Sequence, residues 1–301
     1  MTVGGALILY ATAVGLAGAV GFRRALWPLR APRLGAAAVL AAAWSVPVAL
    51  VLAGMTIILP PSALFADVGR LVGACLVRLR AAYGTPAGAG IVTAGQVLSV
   101  AILGRIAWAI GRVGHRRRTE RRRHRLLVRL AGGRRPEVVV TSGAVELLTG
   151  PQLGAVLAHE HAHLRRRHHR WALAAALVAE AIPVVPLLRE APTRVGRLLE
   201  MDADEHAAGG HEPRVLAGAL VAVTSAGGHT VAVPGGAAPV VGRPGGVTGA
   251  GAEALARVHR ILRPPDRLPR RREALTRAAV VALTVAPLVL ATAPAVVALL
   301  P

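Results

Sequence analysis

The chain has 301 residues, 54% of them hydrophobic, yet its formal net charge is +21. Apolar bulk and positive charge lie in separate blocks, which argues against an ordinary soluble domain and for membrane spans alternating with basic loops. The one cysteine, Cys75, excludes an intrachain disulfide and any thiolate-rich metal site, so a bound ion would have to use histidines and carboxylates.

In chain order, four long apolar segments come forward: residues 3–22, 34–59, 87–104 and 278–300. Each reaches the roughly 17–25 residues that cross a bilayer core as a helix. The first lacks a basic n-region and a polar cleavage region, so it reads as a span and not as a cleaved leader. Arg23, Arg24, Arg30 and Arg33 follow the first segment, and the third is followed by a denser run, from Arg112 through Arg116, Arg117, Arg118, Arg121, Arg122, Arg123 and Arg125. Between the second and third there are only Arg70, Arg78 and Arg80. The positive-inside rule then predicts an N-terminus outside and residues 105–277 in the cytoplasm, in a multi-pass protein of the plasma membrane.

The segment between the third and fourth spans has the pattern of a folded domain. Residues 137–141 (Glu-Val-Val-Val-Thr) predict a short strand closed by a turn at Ser142-Gly143. Residues 144–148 suit a helical turn. Thr149-Gly150-Pro151 is a helix start, and Leu153, Val156, Leu157 and Leu164 continue as one apolar stripe to about His168. Residues 227–251 are Gly/Pro-rich without periodicity and read as a flexible loop.

On that helix, residues 159–163 read His-Glu-His-Ala-His. His159 and His163 are four apart, so both imidazoles leave the same face and can bind one ion. Glu160 stands beside such an ion, where it can take a proton from water that the ion has acidified. His161 points away. Residues 200–204, Glu-Met-Asp-Ala-Asp, put Glu200 and Asp204 on one face of a later helix. That spacing can supply a third ligand and a carboxylate that orients a ligand histidine. The other reading of such a cluster is a solvated acidic patch, but four of only 15 acidic residues fall within six positions here. Three protein ligands leave a fourth position open, as a catalytic zinc requires.

The run 138–143, the helix ending in His159-Glu-His-Ala-His163, and residues 200–204 together resemble the membrane zinc metallopeptidases of the BlaR/MecR antirepressor type. CAAX prenyl proteases and heat-shock membrane proteases are wider gluzincin relatives. The resemblance implies one Zn²⁺ held by His159, His163 and Glu200, with Glu160 as catalytic base and Asp204 behind a ligand histidine. It also implies a downstream basic residue that stabilises the oxyanion. Arg257 is the best match and Arg260 the second, although arginine is so common here that the match is easily met. Relatives that sense β-lactams carry a penicillin-binding domain after the last span. None follows residue 278–300 within these residues, so direct antibiotic recognition is not expected. By analogy the substrate is a cytoplasmic or membrane protein, with a repressor of the penicillinase-repressor kind as one candidate.

The ligands impose a further constraint. Residues 171–188 are apolar enough to look like a fifth span, but a single crossing would part His163 from Glu200 by a core about 30 Å thick. Basic flanks on both sides, with Pro183 and Pro186, predict a helix with a broken end that packs on the domain or dips into the inner leaflet. Glu180 within it should face protein and not lipid. His168, His169 and His206 read as surface histidines. The arginines at 112–125 read as lipid contacts, because no nucleic-acid recognition module accompanies them.

The expected architecture is therefore a mostly α membrane protein. Three spans occupy residues 1–111, a cytoplasmic zincin-like α+β metallopeptidase domain residues 112–277, and a final span residues 278–300. The alternative is a non-catalytic membrane signalling or scaffold protein that retains the zincin fold. A transporter would need paired polar residues within the spans, and none is convincing.

Overall fold

The computed structural model describes residues 2–58, 83–129, 139–140, 142–225, 231–232 and 247–297, with isolated positions between 73 and 81. Helix α1 (Val3–Arg24) starts at Thr2, whose side chain accepts a hydrogen bond from the Gly5 N–H, and its last turn carries Arg23 and Arg24, which complement the helix dipole. A short turn of 3₁₀ helix leads into α2 (Pro32–Ile58), and α3 runs from Pro86–Arg129. Then come β1 (Val139–Val140), α4 (Ser142–Leu147), α5 (Gly150–Arg165), α6 (His168–Ala181) and α7 (Pro186–Ala208). Helix α8 (Pro213–Ser225), β2 (Val231–Ala232), α9 (Val247–Leu262) and α10 (Arg270–Val297) complete the order.

Four of these helices, α1, α2, α3 and α10, are long and apolar enough to cross a membrane. Among them α2 is the most buried and α10 the least. The second helix touches α1, α3, α6, α7 and α10, so it is the hub of the bundle. Its approach to α3 is very close. A Cβ on Gly54 would stand 2.1 Å from Ser99 Oγ and 2.2 Å from the Gly95 carbonyl, so only glycine fits there. Small residues that let backbones touch are the means by which helices associate in lipid, where apolar area alone gives no advantage. Leu9 and Leu16 of α1, Ile91, Val97 and Val100 of α3, and Leu288 and Val289 of α10 remain exposed. Bare in water, such faces would be a liability; against lipid tails they are solvated.

The third helix exceeds its expected length. Its apolar run was expected to end at residue 104, but the backbone stays helical to Arg129, because arginine is itself a good helix former. The last helix starts at Arg270, eight residues before its apolar run.

Residues 171–188 do not form one continuous helix. Helix α6 ends at Ala181, the chain turns over 182–185, and α7 returns with Pro186 at its start. The tip of this hairpin is wedged into the bundle: a Cβ on Gly15 of α1 would meet Val185 Cγ1 at 2.8 Å, and one on Gly18 would meet Leu187 at 3.1 Å. Leu187, Leu188, Ala191, Val195, Leu198 and Leu199 of α7 share one core with Leu7 and Ala11 of α1 and with Val39, Ala43 and Val46 of α2. Glu180 faces protein, paired with Arg112 of α3 at 2.8 Å. On the same helix Arg105 donates to the carbonyls of Glu180 and Ala181 at 2.9 and 3.1 Å.

Among the described residues the β structure is one antiparallel ladder, Val139 opposite Ala232 and Val140 opposite Val231. The described residues are thus mostly helical, with this ladder as their β structure. The flexible loop expected over 227–251 needs correction at both ends. Val231–Ala232 is the second strand and the residues from Val247 begin α9, while 233–246 lie outside the described residues.

Candidate metal centre

The site is built where α5 packs on α7. Thr149 opens α5 through a capping box, with Gln152 Oε1 accepting from the Thr149 N–H at 3.0 Å and a proline in the first turn. From that fixed start the helix presents His159 and His163 on one face. It ends at Arg165, three residues sooner than its apolar stripe suggests, because Arg167 takes a left-handed conformation (φ 56°, ψ 39°) and the chain restarts as α6 at His168.

His159, His163 and Glu200 each aim one ligand atom at a common point, and these atoms lie within 4.8 Å of one another. The two Nε2 atoms are 3.1 Å apart, and the Glu200 carboxylate stands 3.5 Å from His159 Nε2 and 3.4 Å from His163 Nε2. Donors held about 2.0–2.1 Å from one tetrahedral ion stand roughly 3.3 Å apart, so an ion of zinc's size fits this set with little rearrangement. Two imidazoles and one carboxylate are also the donor set of a zinc site with an open position.

Behind His159, Asp204 Oδ1 lies 3.0 Å from Nδ1 and is itself buried, 2% exposed. The carboxylate accepts there and leaves His159 Nε2 as the donor facing the centre. Arg257 of α9 grips Asp204 with both ends of its fork, Nε to Oδ2 and Nη2 to Oδ1 at 2.7 Å each, and its Nη1 lies 3.2 Å from Glu200 Oε2. Three guanidinium nitrogens of Arg257 are thereby directed at the two carboxylates. Arg260 pairs instead with Glu205 and the Leu29 carbonyl.

Burial opposes charge on His159, but the carboxylates of Asp204 and Glu200 outweigh it and hold the imidazole's pKa up at about 9. Burial dominates at His163 and takes it down to about 4, against the pull of Glu200 and with the neighbouring imidazoles and Arg257 adding to the fall. Glu200 goes the other way. Burial resists its charge, yet the hydrogen bond from His159 and the Arg257 charge keep it well below the usual carboxylate range. Glu160, half-buried one position after His159, is pushed up chiefly by burial, with His159 opposing. Among the described residues no hydrogen bond or ion pair engages its carboxylate. His161 is exposed.

One expectation is overturned here. His168 is no surface histidine: it is 3% exposed, with Nδ1 3.0 Å from His163 Nδ1 and Nε2 2.9 Å from Asp202 Oδ2. Asp202 is also buried and accepts from Arg166 Nη1 at 3.0 and 3.1 Å. His206, by contrast, is exposed and contacts Arg165 at 2.8 Å. The acid cluster after Glu200 was the signal for Asp202; nothing in the spacing alone announced that His168 would fold back toward His163.

No curated protein and no solved structure matches the chain. Residues 130–191 do match a family model, that of Peptidase family M48, a zinc metallopeptidase family. The matched stretch holds His159, Glu160, His163 and the first arm of the hairpin but stops before Glu200, and this part of the chain is similar to that family.

Proposed function

We propose that the protein is a membrane-bound zinc-dependent endopeptidase, with a zincin-like domain on the cytoplasmic side of four spans and the N-terminus outside. The single observation that carries this reading is the convergence of His159, His163 and Glu200 on one point, with Glu160 next to His159 in the chain. The likeness of residues 130–191 to a zinc metallopeptidase family supports it independently.

In this reading the two Nε2 atoms and the Glu200 carboxylate hold the ion. Zinc bound there supplies the Lewis acidity that polarises a scissile carbonyl and acidifies water. Glu160 takes the proton of the attacking water and returns it to the departing amine, so no covalent acyl-enzyme forms. Its partly buried position raises its pKa towards the working pH, which suits a general base. Asp204 orients His159. Arg257 braces Asp204 and Glu200, and its edge facing the centre is the candidate for steadying an oxyanion.

The finer reading of the substrate is a cytoplasmic repressor of the penicillinase-repressor kind, supported by the resemblance of residues 138–143, 159–163 and 200–204 to antirepressor peptidases. Cleavage of other membrane proteins is the competing class. Lipid is the surrounding partner, and nucleic acid is not a direct one. The scaffold alternative makes the same metal prediction but not the same chemical one. Glu160→Gln should keep zinc and abolish proteolysis, read by comparing the proteomes of cells that express each form. Identical substrate levels under every stress tested would favour the scaffold.

A further inference from the structure

The two ligand histidines are held by different devices. His159 leans directly on a carboxylate, whereas His163 leans on a second histidine, and that histidine on Asp202. We infer that His168 is a positioning residue, which bridges Asp202 to His163 and keeps His163 in the tautomer that presents its Nε2 to the metal. This rests on the reading of His163 as a ligand.

The polarity of the chain follows from its anchor. Asp202, clamped by Arg166, can only accept, so the His168 Nε2 carries a proton and donates. In the neutral ring Nδ1 is then an acceptor and takes the Nδ1–H of His163 at 3.0 Å. The lone pair of His163 is thereby left on Nε2, 3.4 Å from Glu200 and 3.1 Å from His159 Nε2. Reversing the polarity would put a proton on that atom and block it as a ligand.

The backbone argues that this contact is built. In an uninterrupted α-helix residues five apart point about 140° away from each other, so His163 and His168 could not meet. The left-handed Arg167, the one non-glycine with positive φ among the described residues, breaks the helix and brings His168 back. Such a conformation costs on the order of 1–3 kcal/mol and persists only where the surroundings impose it. Two polar side chains, His168 and Asp202, are buried along with it, which is costly unless both are satisfied. A hydrophobic residue at 168 would fill the space without either cost.

Two amide substitutions separate the roles of the two nitrogens. His168→Asn places its oxygen near the old Nδ1 and keeps an acceptor for His163. His168→Gln places its amide near the old Nε2, reaching Asp202 but leaving His163 Nδ1 without its partner. Zinc affinity would be measured on the full-length protein in detergent, stripped and titrated against a chromophoric chelator, with the melting point of the stripped form recorded alongside. The expected result is a 10–100-fold loss of zinc affinity in His168→Gln, a change under about threefold in His168→Asn, and similar melting of both stripped variants. Equal zinc affinity of His168→Gln and wild type overturns the inference, as does an equal loss in both variants, which would mark His168 as packing. If His168→Gln fails to fold, Asp202→Asn serves: it no longer dictates which His168 nitrogen holds the proton, and an unchanged zinc affinity there overturns the inference too. Should wild type itself bind no zinc, the metal reading fails first and carries this one with it.

Discussion

One helix, α7, passes through two environments. From Leu187 to Leu199 it is held by apolar contacts with α1 and α2, and from Glu200 to Asp204 by three acidic side chains with their histidine and arginine partners. Both halves turn a buried face to the protein, but the physics of their failure differs. A packed apolar surface loses what is cut away. A buried ionic network loses that and is also left with an unanswered charge. The apolar half should therefore tolerate change of shape-preserving kinds, and the ionic half almost none.

The sharpest way to break that contrast is Arg257→Met, which keeps an unbranched apolar stem and removes the charged head. Asp204 and Glu200 then lose the guanidinium and keep only His159 as a charged partner, and unfolding should become easier by roughly 3–5 kcal/mol, read by chemical denaturation in detergent. A loss below 1 kcal/mol would put the two halves on the same footing. In the apolar half, Leu187→Ala should cost about 2–5 kcal/mol, whereas Leu187→Met should stay under about 1.5 kcal/mol in the same assay. If Met proves as harmful as Ala, volume is not what that half is sensitive to.

A third test concerns protons. In the folded chain His159 holds its proton up to about 9, above its ordinary 6.5, so its contribution to stability is complete below 6.5 and disappears as pH rises through 9. His163 is the opposite, with a pKa of about 4, so its preference for the neutral form is lost as pH falls from 6.5 through 4. Zinc has to displace the His159 proton but finds His163 already free. Between pH 6.5 and 9 its binding should release about one proton and tighten roughly tenfold per pH unit. Calorimetry in two buffers of different ionisation enthalpy would read this, and a buffer-independent heat would refute it. The smallest effect should come from Arg167→Gly, which relaxes the left-handed residue. A gain of about 1 kcal/mol or less in stability, with zinc affinity unchanged, is the expected outcome.

Legibility followed the same division. The four helices long and apolar enough to cross a membrane were plain because a long uncharged run has few other uses. The hairpin over 171–188 was inferred from the ligands: residues on either side of it had to meet. What escaped notice was set by the long-range fold. His168 looked like one of many histidines in a basic stretch, and its partner Asp202 lies 34 positions on, across a helix break that no local pattern demanded. The second strand, Val231–Ala232, was hidden in glycine and proline because two residues are too few to show alternation. The partners of Arg257 were equally invisible, since every candidate in so arginine-rich a chain looked the same.

The notch at Gly15 bears on how the molecule is made. Translation produces α1 and α2 first, and the hairpin tip at Val185 needs the bare backbone of α1 as its seat. That seat is therefore made before its occupant, and Glu200 arrives after both histidines. A product cut short before that helix would hold both histidines but neither the wedge at Gly15 nor the third member of the cluster.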